Sequence, residues 1–279
     1  MPNLSCFSPR TEIGQNFLVD RNLLRCIVED AAILPGENIL EIGPGKGVLT
    51  KALLDSPCGR VDAVELDRRL APFLEPYQQH HAQRFFLHWG DAVRFDYPSL
   101  PNPTGVVANI PYHITTPLIW KLLEDLAPRG LQRMILMVQK EAAERLMAPL
   151  LSKTRYPLGV TLELMGTVKI LRTVPPEAFR PIPRVDSALV RIDLTAHRDL
   201  PTLASWRELL RKAFGERRKM LRNSLGTFPL PLHSPSLEVC LQSACLPATA
   251  RPEELEGEAW LRLWRLLGGE KQQSGTAPV

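Results

Sequence analysis

"NILEIGPGKGVLT", residues 38–50, begins as a short apolar run, passes glycines at 43, 45 and 47, and continues into a helical pattern. A β-rich run, a glycine turn and a helix make the first βα unit of a parallel sheet. Glycine at such a turn lets the chain reverse sharply and lets a ligand come close to the backbone. The loop is not a Walker phosphate loop: Lys46 is followed by Gly47 rather than Ser or Thr, and no glycine stands five positions ahead of it. Nor is it the dinucleotide fingerprint, because the third glycine arrives one position early.

Downstream, "NILEIG", "VDAVEL", "RFFLHWG", "GVVANI", "RMILMVQ", "LMGTVKILRTV" and "SALVRIDL" read as strands, with helices between the early ones. Alternation of this kind predicts a parallel sheet covered on both faces, since parallel strands need crossovers. The last two strands are joined by the proline-rich "PPEAFRPIPRVD", which predicts an antiparallel pair at one side of the sheet. Beyond Asp193 the chain becomes helical: "SWRELLRKAFGERRKMLRNSLG" is a basic helix, "FPLPLHSPS" a linker, and "PEELEGEAWLRLWRLLGG" an amphipathic helix. The expected domains are 1–196 (cofactor and catalysis), 197–268 (helical) and a disordered tail over 269–279.

The 279 residues are 44% hydrophobic and 23% charged, which argues for a globular chain. Net charge is only +4, so a polyanionic partner must be met by local basic patches. The five cysteines form neither C-x-x-C pairs nor zinc-like spacing with histidine, so no metal is expected. No apolar run approaches the ~18 residues of a membrane span, and the first residues resemble neither a secretory nor a transit peptide. A cytoplasmic protein with no membrane association is expected.

Two acids stand at successive strand ends. "VELD" places Glu65 about 20 residues past the glycines, where a carboxylate can accept both hydroxyls of a ribose. "WGDA" places Asp91 at the neighbouring tip, where it can accept from an adenine amino group. An adenosine-containing cofactor held without a phosphate-binding device follows. "NIPY", residues 109–112, closes the fourth strand at the same crevice. An exocyclic adenine nitrogen is a poor nucleophile because its lone pair is delocalised into the ring. The Asn109 side-chain oxygen and the Ile110 or Pro111 carbonyl can accept its two N–H groups and favour a pyramidal nitrogen. Tyr112 offers a π face for the base, and Pro111 fixes φ and removes a donor. His113 reads as a local hydrogen-bonding residue.

Together these segments resemble the small-subunit (16S) rRNA adenine N6,N6-dimethyltransferase family. "GQNFLVD" (14–20), "EIGPGKGVLT", "VELD", "GDA", "NIPYHIT", "QKEAAERL" (139–146), "FRPIPRVDSALV" (179–190) and "AFGERRKMLRNSL" (213–225) occur in the family's order over nearly the whole chain. The resemblance implies an α/β fold: a Rossmann-like class I methyltransferase sheet with a small all-helical C-terminal domain that binds RNA. It implies S-adenosyl-L-methionine as cofactor, contacted by Asn16, Leu18, Gly43, Glu65, Asp91 and Asn109. It implies a target-adenine site of Asn109, Pro111, Tyr112 and Phe179, with Phe179 as the second stacking face. The implied partner is small-subunit rRNA in a pre-ribosomal 30S particle, met by a monomer. Ile110 stands where the family usually has Leu and also appears in 23S rRNA methylases of the macrolide-resistance type. His113 replaces a commoner Asn, and "RYPLGVTLEL" departs from the usual Y-G-x-L-S-V. The basic segment with Arg217, Arg218, Lys219 and Arg222 argues for the small-subunit reading over the resistance methylase. The intact Asn109 and cofactor acids argue against a non-catalytic assembly factor.

Overall fold

The computed structural model describes residues 7–10, 14–216, 219–226, 228 and 236–269. Two compact units separate: Met1–Glu144 with Gly166–Arg198, and Arg145–Met165 with Asp199–Val279.

The first unit is built on one seven-stranded sheet. A two-residue strand, β1 (Phe17–Leu18), and helix α1 (Arg21–Ala31) come first. Then follow β2 (Asn38–Ile42), α2 (Val48–Leu54), β3 (Arg60–Glu65), α3 (Ala71–His80), β4 (Phe85–Trp89), β5 (Gly105–Asn109), α4 (Thr115–Leu126) and β6 (Arg133–Gln139). After α5 (Lys140–Leu146) and α6 (Pro157–Met165), the chain adds β7 (Gly166–Val174), β8 (Phe179–Arg180) and β9 (Ser187–Leu194). The sheet runs β4-β3-β2-β5-β6-β9-β7. Its strands β2 to β6 pair in parallel, and β9 pairs antiparallel with both β6 and β7. The predicted antiparallel pair is therefore present at one side, with β9 inserted between its two neighbours.

Burial follows topology. Ile39, Leu40 and Ile42 of β2 and Met134 to Val138 of β6 are all buried, as strands covered on both faces require. By contrast, β7 carries mostly half-buried and exposed residues, the pattern of an edge. The run "LMGTVKILRTV" enters the sheet only at Gly166; Leu164 and Met165 still belong to α6. Helix α6 carried no sequence signal because it lacks a polar face: seven of its nine residues are buried.

Strand order reverses between β2 and β5. The chain moves outward from β2 through β3 to β4 on one side and from β5 to β6 on the other. At such a switch point the loops leaving the carboxyl ends diverge and open a crevice. Glu65 and Asn109 end the strands that lead into these loops and Asp91 lies just past the end of β4, whereas Asn16 precedes β1 on the N-terminal arm.

The second unit has its own core around Trp206, Trp260, Phe214 and Trp264. It contains α6, α7 (Ala204–Gly215), α8 (Leu221–Ser224), α9 (Leu237–Ser243) and α10 (Gly257–Leu266). Residues 145–165 cluster here rather than with the expected 1–196 domain. Buried Arg155 donates to the carbonyls of Leu255 and Ala148 and pairs with Glu163 at 2.6 Å, while Trp206 Nε1 donates to Thr161 Oγ1 at 3.0 Å. The basic segment is not one helix: α7 ends at Gly215, Met220 is extended, and α8 starts at Leu221. Lys219 precedes α8 and Arg222 lies in it; Arg217, Arg218, most of "FPLPLHSPS" and all of the expected tail but Gly269 lie outside the described residues. The amphipathic stretch from Pro252 splits into a 3-10 turn, Pro252–Glu254, and α10. Among the described residues Cys26, Cys58, Cys240 and Cys245 form no disulfide, no cluster of His, Cys, Asp and Glu is arranged to hold a metal, and no helix is long and apolar enough to cross a membrane.

Candidate active site

Glycine 43 takes φ +68° as the chain leaves β2, a conformation that a side chain would strain. At Gly45 the reason is contact: an added Cβ would lie 2.9 Å from the ring of Phe17. The turn can therefore pass beneath an N-terminal arm. That arm is β1, which pairs antiparallel with β8 in the register Phe17 with Arg180 and Leu18 with Phe179. Lys46 Nζ is 5.2, 5.5 and 5.4 Å from the ring centres of Phe7, Phe17 and Phe73, so a cation on the glycine loop gathers three aromatic rings around it.

Glu65 ends β3 and is 6% exposed. Its Oε2 accepts from Gly45 N at 3.1 Å, and its Oε1 accepts from Leu66 N and Asp67 N, both at 2.9 Å. Burial raises its carboxyl above the ordinary range against the pull of these three donors. Asp67 holds the arm: Gln15 Nε2 donates to Asp67 Oδ2 at 3.0 Å, and the Arg69 guanidinium keeps that acid down at about 2. Asp91 is exposed past β4, with Oδ1 accepting from Val93 N at 2.9 Å.

Asn109 ends β5. Its Nδ2 lies 2.9 Å from the carbonyl oxygen of Asn16. A carbonyl can only accept, so the amide orientation is determined: the NH₂ faces the arm, and Oδ1 is left without a partner among the described residues. The sequence left two carbonyls open as the second acceptor. Pro111 O already accepts from Ile114 N at 3.1 Å, whereas Ile110 O has no partner among the described residues. Tyr112 is half-buried, and its hydroxyl is 2.7 Å from Ser187 Oγ.

One crevice is lined by Asn16, Gly43, Glu65, Asp91, Asn109, Pro111 and Tyr112. Two expected residues are not brought into it. Phe179 is 1% exposed, packed in the core with Leu18 and Val174, so its ring offers no free face to a base. The Leu18–Phe179 pairing turns both side chains inward, an orientation that the motif alone does not reveal. Leu18 instead lines a neighbouring cavity beside Phe17, Gly43 and Arg180. His113 lines the crevice next to Gly14 but makes no hydrogen bond among the described residues.

Sequence reasoning passed over Gln15, Lys46, Ser187 and Glu41. Glu41 is fully buried in mid-β2; Thr50 Oγ1 donates to its Oε2 at 2.7 Å, Oε1 has no partner among the described residues, and burial pushes its pKa to about 8. Its acidic identity in an otherwise apolar strand was the available signal. The site as a whole fits an adenosine-type group: a buried acceptor at Glu65, glycines permitting close approach, and apolar lining from Ile42, Val64 and Leu66.

Comparison with known proteins agrees. The profile described as ribosomal RNA adenine dimethylase matches residues 6–231. A protein of Thermosynechococcus vestitus named ribosomal RNA small subunit methyltransferase A is 42% identical over 264 residues, covering 92% of this chain and 96% of its own. The Synechocystis protein of the same name is 40% identical, covering 94% and 97%. Among solved structures, a dimethyladenosine transferase from Plasmodium falciparum superposes with TM-score 0.78 at 25% identity, covering 90% of this chain and 98% of its own. The 23S rRNA methyltransferase ErmE gives 0.65 at 27% identity, covering 91% and 100%. Sequence order, switch-point crevice and relatives over nearly the full length lead to one conclusion: the chain belongs to the ribosomal RNA adenine dimethylase family.

Proposed function

We propose that the chain dimethylates N6 of two adjacent adenines in the 3′-terminal hairpin of small-subunit (16S) rRNA, with S-adenosyl-L-methionine as methyl donor. The observation that carries this reading is the amide of Asn109, whose NH₂ donates to the Asn16 carbonyl and whose Oδ1, like the carbonyl of the next residue, Ile110, accepts no hydrogen bond among the described residues. Two acceptors there receive the two N–H bonds of the target amino group and favour its pyramidal form. When bound, S-adenosyl-L-methionine supplies an electrophilic methyl group. Asn16, Gly43, Glu65 and Asp91 hold its adenosine and amino-acid ends, with Glu65 on the ribose. With its two N–H bonds held, the target nitrogen would take the methyl group through its lone pair as the methyl–sulfur bond breaks with its electron pair staying on sulfur, and the resulting aminium would release its proton to water. Tyr112 offers a stacking face that offsets part of the few kcal/mol needed to take a base out of its stack. Phe179 has no part in this reading.

RNA contact by the second unit, with Lys219 and Arg222 exposed, action as a monomer on a pre-ribosomal 30S particle, and a cytoplasmic location complete the proposal. RNA contact rests on the names of the relatives and on the basic residues near α8, and the particle, the monomeric state and the location rest on the reading of the sequence. A 23S rRNA methylase remains as a second reading because Ile110 matches that type and ErmE shares the fold. Incubation with unmodified ribosomal subunits and labelled cofactor, followed by primer extension, separates the two. Paired stops near the 3′ end of small-subunit rRNA are expected; stops only in 23S rRNA would replace this function with the resistance type.

A further inference from the structure

Among the described residues, the hydroxyl of Ser187 has one hydrogen-bond partner, the phenol of Tyr112 at 2.7 Å. Ser187 is fully buried. It is the first residue of β9, paired with Gln139 on one side and Val174 on the other, so its backbone is held by two strands. It is followed by Ala188, Leu189 and Val190, all buried. A hydroxyl at the head of such a strand is costly unless it is paired, and the group that pairs it comes from a loop 75 residues away. The other end of Tyr112 is fixed too: Thr115 Oγ1 donates to its carbonyl at 3.0 Å as the backbone enters a 3-10 turn, Tyr112–Ile114. The ring is thus anchored at its root by the turn and at its tip by Ser187, while it lines the crevice.

We infer that Ser187 is a positioning residue for the target base: it sets the plane of the Tyr112 ring before RNA arrives and occupies the phenol, so that Tyr112 works as an oriented stacking surface and not as a proton acceptor. The inference rests on the function proposed above. Preorganising the ring removes the cost of ordering it during base capture. Removal of Ser187 Oγ does more than free the ring. It leaves a half-buried phenol without its partner, and the ring turns to find another.

A double-mutant cycle on the full chain tests this, using a small-subunit rRNA substrate, saturating S-adenosyl-L-methionine, and both KM and single-turnover rate. Tyr112→Phe keeps the stacking ring and removes the phenol together with its need for a partner, and its own KM and single-turnover rate set the reference background of the cycle. Ser187→Ala is expected to raise KM for RNA ~10-fold with unchanged cofactor affinity. In the Tyr112→Phe background the same Ser187→Ala change is expected to cost almost nothing. An equal cost in both backgrounds would assign Ser187 a purely structural role and overturn the inference. A loss of ~10²-fold or more in single-turnover rate for Tyr112→Phe alone would make the phenol a base and overturn it as well; this arm stands even if Ser187→Ala does not fold. Wild-type protein that transfers no methyl to small-subunit rRNA would overturn the proposed function first, and this assignment with it.

Discussion

The amide nitrogen of Asn109 and the carbonyl oxygen of Asn16 meet at 2.9 Å across 93 residues of sequence. The strand-end amide and the N-terminal arm are therefore one structural element: the arm determines which end of the amide faces it, and the free oxygen follows from that choice. Neither residue has this property alone.

Replacement of Asn109 separates rate from binding. Asn109→Ala is expected to lower the single-turnover methyl-transfer rate by ~10²–10³ with little change in RNA affinity. Asn109→Asp is not expected to rescue it, because a carboxylate would place an acceptor against the Asn16 carbonyl. Near wild-type transfer by either variant at saturating cofactor and RNA would remove Asn109 from the chemistry.

The two acids should behave differently from each other. Glu65→Ala strips an acceptor from three backbone N–H groups, so it is expected to weaken cofactor binding and also to cost roughly 1–3 kcal/mol of stability. Asp91 is exposed, and Asp91→Ala should weaken cofactor binding while leaving denaturation unchanged. Calorimetry and urea titration of the pair check both halves; unaltered cofactor binding in both variants would sink the assignment.

Glu41 gives stability a pH dependence. Its folded-state pKa of about 8 lies above its ordinary value of 4.5, so folding favours the protonated carboxyl. The stability tied to that group is fully present below about 4.5, declines as pH rises toward about 8, and changes no further beyond it. Glu41→Gln keeps a neutral group of the same shape and is expected to flatten this part of the profile. Denaturant midpoints between pH 5 and 9 that keep the same slope in the variant would place the titration elsewhere.

Gly45→Ala tests the arm. The added Cβ would meet the Phe17 ring at 2.9 Å, at a residue with φ +58°, so the ring must lift and the Asn16 contact loosen. Weaker cofactor binding and faster limited proteolysis ahead of Asp20 are expected. A variant matching wild type in both would show that the arm tolerates the displacement.

The basic residues near α8 make a separate prediction. Lys219→Ala with Arg222→Ala is expected to weaken rRNA binding and to reduce its salt dependence by up to about one unit of log slope for each phosphate left unneutralised. Cofactor affinity should not move. An unchanged salt slope would leave these residues as a solvated surface.

By itself the sequence located the seven strands of the main sheet, though not the two-residue β1 and β8, and the crevice residues that sit at strand ends, because apolar period, glycine turns and strand-end acids are local properties. Gly43, Glu65, Asp91 and Asn109 were legible as crevice residues for that reason. Helix α6 was not, since a segment buried on every side shows no amphipathic period, and Glu41 was not, since its raised pKa comes from burial rather than from neighbours in sequence. What only the tertiary structure decided is how distant segments meet. The β1–β8 ladder turns Phe179 into the core and sets Asn16 against Asn109, and the insertion of β9 between β6 and β7 brings the Ser187 hydroxyl to Tyr112. The direction of a side chain in a two-residue ladder depends on pairing register, and a hydrogen bond over 75 or 93 residues depends on topology. Both are set by long-range packing that no local window of the sequence contains.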